Sequence, residues 1–168
     1  MAERPDYLTA WLQLQRGRAA PGEVVVLPVL TGSMMPLIAP GTEIAIRPAA
    51  GPDCRPGDVV VFRQRDDLTA HRLLLALPLP GRRLFYQKGD MNPRGAWIRA
   101  ERVVGVVARA QGHDGRTRAL DDPGERAVAR GAARRQLWAD LKDRLLHHPR
   151  RFKRWLARPS TPDRRGRS

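Results

Sequence analysis

The sequence predicts a mainly β domain, with a short helix before it and a basic helical tail after it. Three observations carry this. Residues 23–109 contain several short runs rich in β-branched and aromatic residues, set apart by Pro and Gly turns, with no helical period among them. Residues 6–15 place Tyr7, Leu8, Trp11, Leu12 and Gln15 on one helical face. From about Glu125 the apolar spacing becomes helical, with Arg and Lys between the apolar positions. The expected organisation is a helix and linker over 1–22, a β domain over 23–120 and a basic tail over 121–168.

In the first segment Asp6 is a candidate cap for the helix, and 16–22 read as linker. Residues 23–30 read as a strand that enters a turn at Gly32–Pro36. Pro40-Gly41 turns the chain into Glu43–Arg47, which alternates like a half-buried strand. A loop over 48–56 and the turn Pro56-Gly57-Asp58 lead to Val59-Val60-Val61-Phe62, a strongly β-branched run. Further strands are expected over 69–77, 84–87, 97–99 and 103–107. Together they predict a sandwich or coiled ribbon. Residues 110–123 read as loop. Helices are expected over about 124–147 and 150–157, separated at His147-His148-Pro149, and 159–168 read as a polar, basic, unstructured end.

Charge is unevenly distributed. The net charge is +14, and residues 121–168 hold 14 of the 31 basic residues but 6 of the 17 acidic ones. Such a tail suits an anionic partner or simply solvates the chain; both readings are open. The single cysteine, Cys54, excludes an internal disulfide. Residues 1–20 lack the continuous apolar core of a signal peptide. Residues 24–42 are uncharged but are broken by Pro28, Gly32, Pro36, Pro40 and Gly41, which argues against a membrane span. The expected location is therefore cytoplasmic, or peripheral at a membrane. No Cys/His cluster has metal spacing and no Gly-rich phosphate loop is present, so no cofactor is expected.

The chemistry is sought at Thr31-Gly32-Ser33-Met34-Met35-Pro36. Gly32 and Pro36 bound a turn that presents Ser33, a candidate nucleophile that needs a base within reach. Of the four histidines, His113 lies in a Gly-flanked loop and His147 and His148 lie in the tail. His71 alone falls within the β region. A lone strand histidine is more often structural than catalytic, so its context decides.

That context is four segments in order: Gly32-Ser33-Met34-Met35-Pro36, Pro56-Gly57-Asp58-Val59-Val60-Val61-Phe62, His71-Arg72 and Lys88-Gly89-Asp90-Met91-Asn92. Together, over about residues 29–107, they resemble the type I signal peptidase family of serine endopeptidases. A histidine in place of the bacterial lysine resembles the branch found in the endoplasmic reticulum and archaea. The resemblance implies the coiled β-ribbon fold shared with self-cleaving repressors. It also implies Ser33 as nucleophile, His71 as general base and Asp90 as the acidic partner that orients it. It implies an oxyanion site made by the Ser33 backbone N–H and the Thr31 hydroxyl; a turn-forming role for Thr31 stays open.

In this family a second aspartate usually follows the first, whereas here Pro93–Trp97 contains no acid. The family also carries a transmembrane anchor, which has no counterpart here. The expected activity is cleavage of a leader or signal-like peptide or preprotein. Two alternatives stand beside it. One is a self-cleaving regulator, for which the lysine base and a preceding DNA-binding domain are missing. The other is an inactive binding module acting through its basic tail. The tail's Trp138, Leu141, Leu145, Phe152, Trp155 and Leu156, among basic residues, predict an interfacial helix on an anionic membrane or a helix packed on the β domain. Nucleic acid is the weaker partner, since no groove-binding motif accompanies the charge.

Overall fold

The structure is a computed structural model that describes residues 7–15 and 23–147. The expected linker over 16–22, the second tail helix over 150–157 and the polar end lie outside the described residues. Helix α1 (Tyr7–Gln15) precedes eight strands and helix α2 (Pro123–His147). The strands are β1 (Val25–Pro28), β2 (Glu43–Pro48), β3 (Val59–Gln64), β4 (Asp67–Leu79), β5 (Arg82–Lys88), β6 (Ala96–Arg99), β7 (Val103–Gln111) and β8 (Thr117–Ala119). They form one antiparallel sheet in the order β1-β2-β7-β3-β4-β5-β6, with β8 added to β7. The sheet curls into a half-barrel.

The run Val59–Phe62 shows why the sheet curls around two cores. Val59 and Val61 enter one cluster with Leu14 of α1, Ile38, Ile44 and Ile46. Val60 and Phe62 enter another with Leu73, Phe85 and Cys54. Both faces of β3 are covered, so the strand is apolar throughout instead of alternating. Each such side chain contributes roughly 1.5–3 kcal/mol through burial. Burial also pushes the Cys54 thiol up to about 12, so it is an inert core residue.

Residues 110–123, expected as loop, contain more order than that. β7 continues to Gln111, and β8 pairs Arg109 with Ala119 and Gln111 with Thr117. Gly115, at φ +72°, makes the turn, and Asp114 holds it by accepting from Arg116 N at 3.1 Å and Arg118 Nη2 at 2.6 Å. Three residues are too few to show an alternation, so β8 leaves no periodic signal.

Helix α2 begins as its sequence dictates. Asp122 Oδ1 accepts the backbone N–H of Gly124 at 2.8 Å and of Glu125 at 3.3 Å, and Pro123 occupies the first turn. The described part of the expected tail is docked on the sheet. Ala133 is fully buried against Leu74 and Tyr86, and Asp140 is buried beneath the helix. Gly57, at φ +104°, permits this approach: a Cβ there would lie 2.9 Å from the Arg130 nitrogen.

Candidate active site

Ser33 occupies the turn that the sequence assigns to it. Met35 N donates to Gly32 O at 3.1 Å, and Ile38 N donates to Met34 O at 3.0 Å. Met34 and Ile38 are buried in the first core and anchor the turn from beneath. Ser33 and Thr31 line a cleft of about 510 Å³, with Leu30, Met34, Ile44, Val61 and Ala70 among its walls. The cleft runs between two strand edges. On one side is the end of β1, an edge strand of the sheet. On the other is the start of β4, which gains β5 as a neighbour only from Arg72 onward. Its walls are mostly apolar, with Thr31, Asp67 and Thr69 among the polar residues.

The turn after β5 links Ser33 to His71. Met91 N donates to Ser33 O at 2.9 Å, and Asn92 N donates to Gly89 O at 2.9 Å. A Cβ on Gly89 would come within 2.8 Å of Ser33 O and of the Asn92 amide, so only glycine lets these segments meet. The Asn92 amide Nδ2 is 3.4 Å from His71 Nε2. Ser33 and His71 thus border the same turn. Among the described residues the Ser33 hydroxyl and the Thr31 hydroxyl make no hydrogen bond, so Ser33 and His71 are not hydrogen-bonded, and His71 is not among the residues that line the cleft.

His71 is partly buried, and its ring is held from both nitrogens. Its Nδ1 is 2.6 Å from Gln87 Oε1, an acceptor, so Nδ1 carries the proton. Nε2 then holds the lone pair, facing the Asn92 amide. The ring lies against Phe62 with centroids 5.9 Å apart. Burial holds the imidazole below the usual histidine value, outweighing the Gln87 hydrogen bond and the charge of Asp90, which both raise it.

The structure does not put Asp90 where the sequence reading had it. Asp90 makes no hydrogen bond to His71. It accepts from Arg72 Nε at 2.9 Å and Nη2 at 2.6 Å, a bidentate pair, and from Gln136 Nε2 of α2 at 2.8 Å. Alternation accounts for the strand residues. His71 and Leu73 share a face with Gln87 and Phe85; Arg72 shares the other face with Lys88. Asp90 lies in the turn beyond β5 and reaches Arg72 on that second side. The position expected for an acidic orienter is filled by Gln87, which the search for a carboxylate passed over.

Lys88 turns away from the cleft. Its Nζ lies 3.6 Å from Asp140 of α2. Tyr86 O–H also donates to Asp140, as does Gly95 N at 3.3 Å. Burial and the adjacent Asp140 carboxylate raise the Tyr86 phenol well above its ordinary value. Among the described residues no group of His, Cys, Asp and Glu could hold a metal ion, and no helix is long and apolar enough to cross a membrane. No family model, curated protein or solved structure matches this chain.

Proposed function

We propose that the chain is a serine endopeptidase resembling the type I signal peptidases, with Ser33 as nucleophile and His71 as general base. The observation that carries this is the placement of His71: its Nδ1 is held by Gln87 and its Nε2 faces Asn92, on the turn whose Met91 N–H grips the Ser33 carbonyl. A peptide entering extended between the β1 end and the β4 start can pair with both strand edges, which supplies affinity without sequence demand. The apolar walls then favour small or apolar side chains near the cut.

In this reaction Ser33 Oγ attacks the scissile carbonyl while His71 Nε2 takes its proton. The Ser33 N–H and the Thr31 hydroxyl donate to the oxyanion; one such donor is worth about 3 kcal/mol of barrier. His71 returns the proton to the leaving amine, and water then repeats the sequence to release the acyl group. The Asn92 amide leaves Nε2 when substrate arrives. Gln87 fixes the tautomer but brings no charge to stabilise the imidazolium. The resemblance adds the substrate class, a leader or signal-like peptide.

The test is digestion of a mixed peptide library by the purified chain, with cut sites read by mass spectrometry. Cuts that follow small residues, and that vanish with Ser33→Ala, are expected. The second reading, an inactive module of the same fold, draws on the missing Ser33–His71 hydrogen bond. A pattern of cuts identical in wild type and Ser33→Ala would select it.

A further inference from the structure

Helix α2 has two faces with different chemistry. One row, Ala129, Ala133, Gln136, Asp140 and Arg144, recurs at helical spacing and is spent on the protein. Ala129 meets Gly57, Ala133 meets Leu74 and Tyr86, Gln136 holds Asp90, Asp140 holds Tyr86 and Lys88, and Arg144 reaches Tyr86 and the Gly95 carbonyl. The opposite face is largely exposed among the described residues. There Arg134, Trp138, Leu141 and Leu145 form one row, and Val128, Arg135, Lys142 and Leu146 form the next. Trp138 is 71% exposed, Leu146 62% and Leu145 58%, values that docking on this protein's own sheet would not leave.

Acids are few along this helix. From Arg126 to Asp143 the sequence holds two, Asp140, which is buried on the inner row, and Asp143. Among the described residues Arg130, Arg134, Arg135 and Lys142 form no ion pair. Residues 148–168, which follow directly, add eight basic residues and one acid.

We propose that the outer face of α2 is a docking surface for an anionic lipid bilayer. A tryptophan and leucines flanked by unpaired Arg and Lys form the composition of an interfacial helix, whose apolar side enters the headgroup boundary by about 5–10 Å. Other occupants fit less well. A second copy of a chain with net charge +14 would bring the same basic rows together. A nucleic acid backbone would use the arginines but leave Leu145 and Leu146 without a partner. The inner row stays docked throughout, so binding leaves the Gln136–Asp90–Arg72 contacts in place. The proposal does not depend on the peptidase reading, and its test needs no substrate.

The test is co-sedimentation of the full chain with phosphatidylcholine vesicles, with and without phosphatidylglycerol. The chain is expected to sediment with the anionic vesicles alone, less so as salt rises. Each basic residue near an anionic surface is worth about fivefold in partitioning, so Arg134→Gln/Arg135→Gln/Lys142→Gln should lose roughly two orders of magnitude. Trp138→Ser/Leu145→Ser should lose at least about tenfold while keeping its melting temperature, since both side chains are exposed. The matched variant Arg55→Gln/Arg82→Gln/Arg116→Gln, on other surfaces, should bind within about threefold of wild type. Four results overturn the proposal: no sedimentation with anionic vesicles at low salt; equal losses in the two triple variants; a dimer that Trp138→Ser/Leu145→Ser dissolves; or binding to duplex DNA or RNA with none to vesicles.

Discussion

His71 and Arg72 are adjacent in β4, and the strand's alternation sends them to opposite faces of the sheet, into environments that differ in kind. On the His71 side the partners are neutral: the Gln87 and Asn92 amides and the Phe62 ring. On the Arg72 side they are charged and interlocked. Asp90 takes Arg72 and Gln136, while Asp140 takes Tyr86, Lys88 and Arg144. The first arrangement suits a base that must gain and lose a proton. The second suits a fixed joint between sheet and helix. The comparison teaches that one strand can carry chemistry on one face and anchorage on the other, and that the two should fail in different assays.

The largest expected effect is on the His71 side. Ser33→Ala and His71→Ala should each lower kcat/KM by roughly 10⁴-fold or more, with similar losses because the two act as a unit. Their melting temperatures should stay near wild type. If His71→Ala keeps activity and Lys88→Met removes it, the two faces have been assigned the wrong way round.

Next comes the Arg72 side. Arg72→Met leaves Asp90 as a buried charge with only Gln136 for company, and should cost about 3–5 kcal/mol of stability. Denaturant unfolding measures this. Arg72→Met/Asp90→Leu should recover most of the loss, because removing both partners leaves no stranded charge. Recovery of less than half would mean that the pair contributes something other than anchorage.

A smaller effect sharpens the contrast. Gln87→Ala should cost about 10–100-fold in kcat/KM, with little change in stability beyond one hydrogen bond. Gln87→Glu would place a carboxylate against Nδ1–H and raise the His71 pKa. The proposed mechanism requires neutral His71, so the acid limb of the pH–rate profile should move to higher pH in that variant. A limb that stays in place would remove Gln87 from its positioning role.

The smallest effect is on folding. Burial holds native His71 below its unfolded value, about 6.5. As pH falls through 6.5 the unfolded chain takes up a proton that the folded chain resists. Stability is therefore complete above 6.5 and declines below it. Relative to His71→Gln, wild type should lose melting temperature as pH falls from about 8 to 5. Parallel curves would place His71 in an ordinary solvated setting.

Much of this was legible in the sequence, for identifiable reasons. The strands β2 to β7 declared themselves through β-branched runs and Pro/Gly turns, and α2 through its period; its Asp122-Pro123 start was read as loop. The Ser33 turn was legible because Gly32 and Pro36 bound it. Three things were not. β8 is too short to alternate. The docking of α2, one of two readings left open for the tail, joins the small Ala133 with Asp140 and Gln136, polar residues that a search for an apolar face ignores. The partner of His71 depends on the register between β4 and β5, where a shift between Leu73 and Leu75 moves every later pair. Residue types alone pointed to Asp90; the register points to Gln87.

The most direct test of the Ser33–His71 assignment is the rate of acylation by a serine-directed fluorophosphonate probe, with the adduct mapped by mass spectrometry across pH. The adduct should lie on Ser33, form only with His71 present, and slow in acid with a midpoint below the ordinary histidine value of about 6.5. An unlabelled Ser33, or a Ser33 labelled equally fast in His71→Ala, would contradict it.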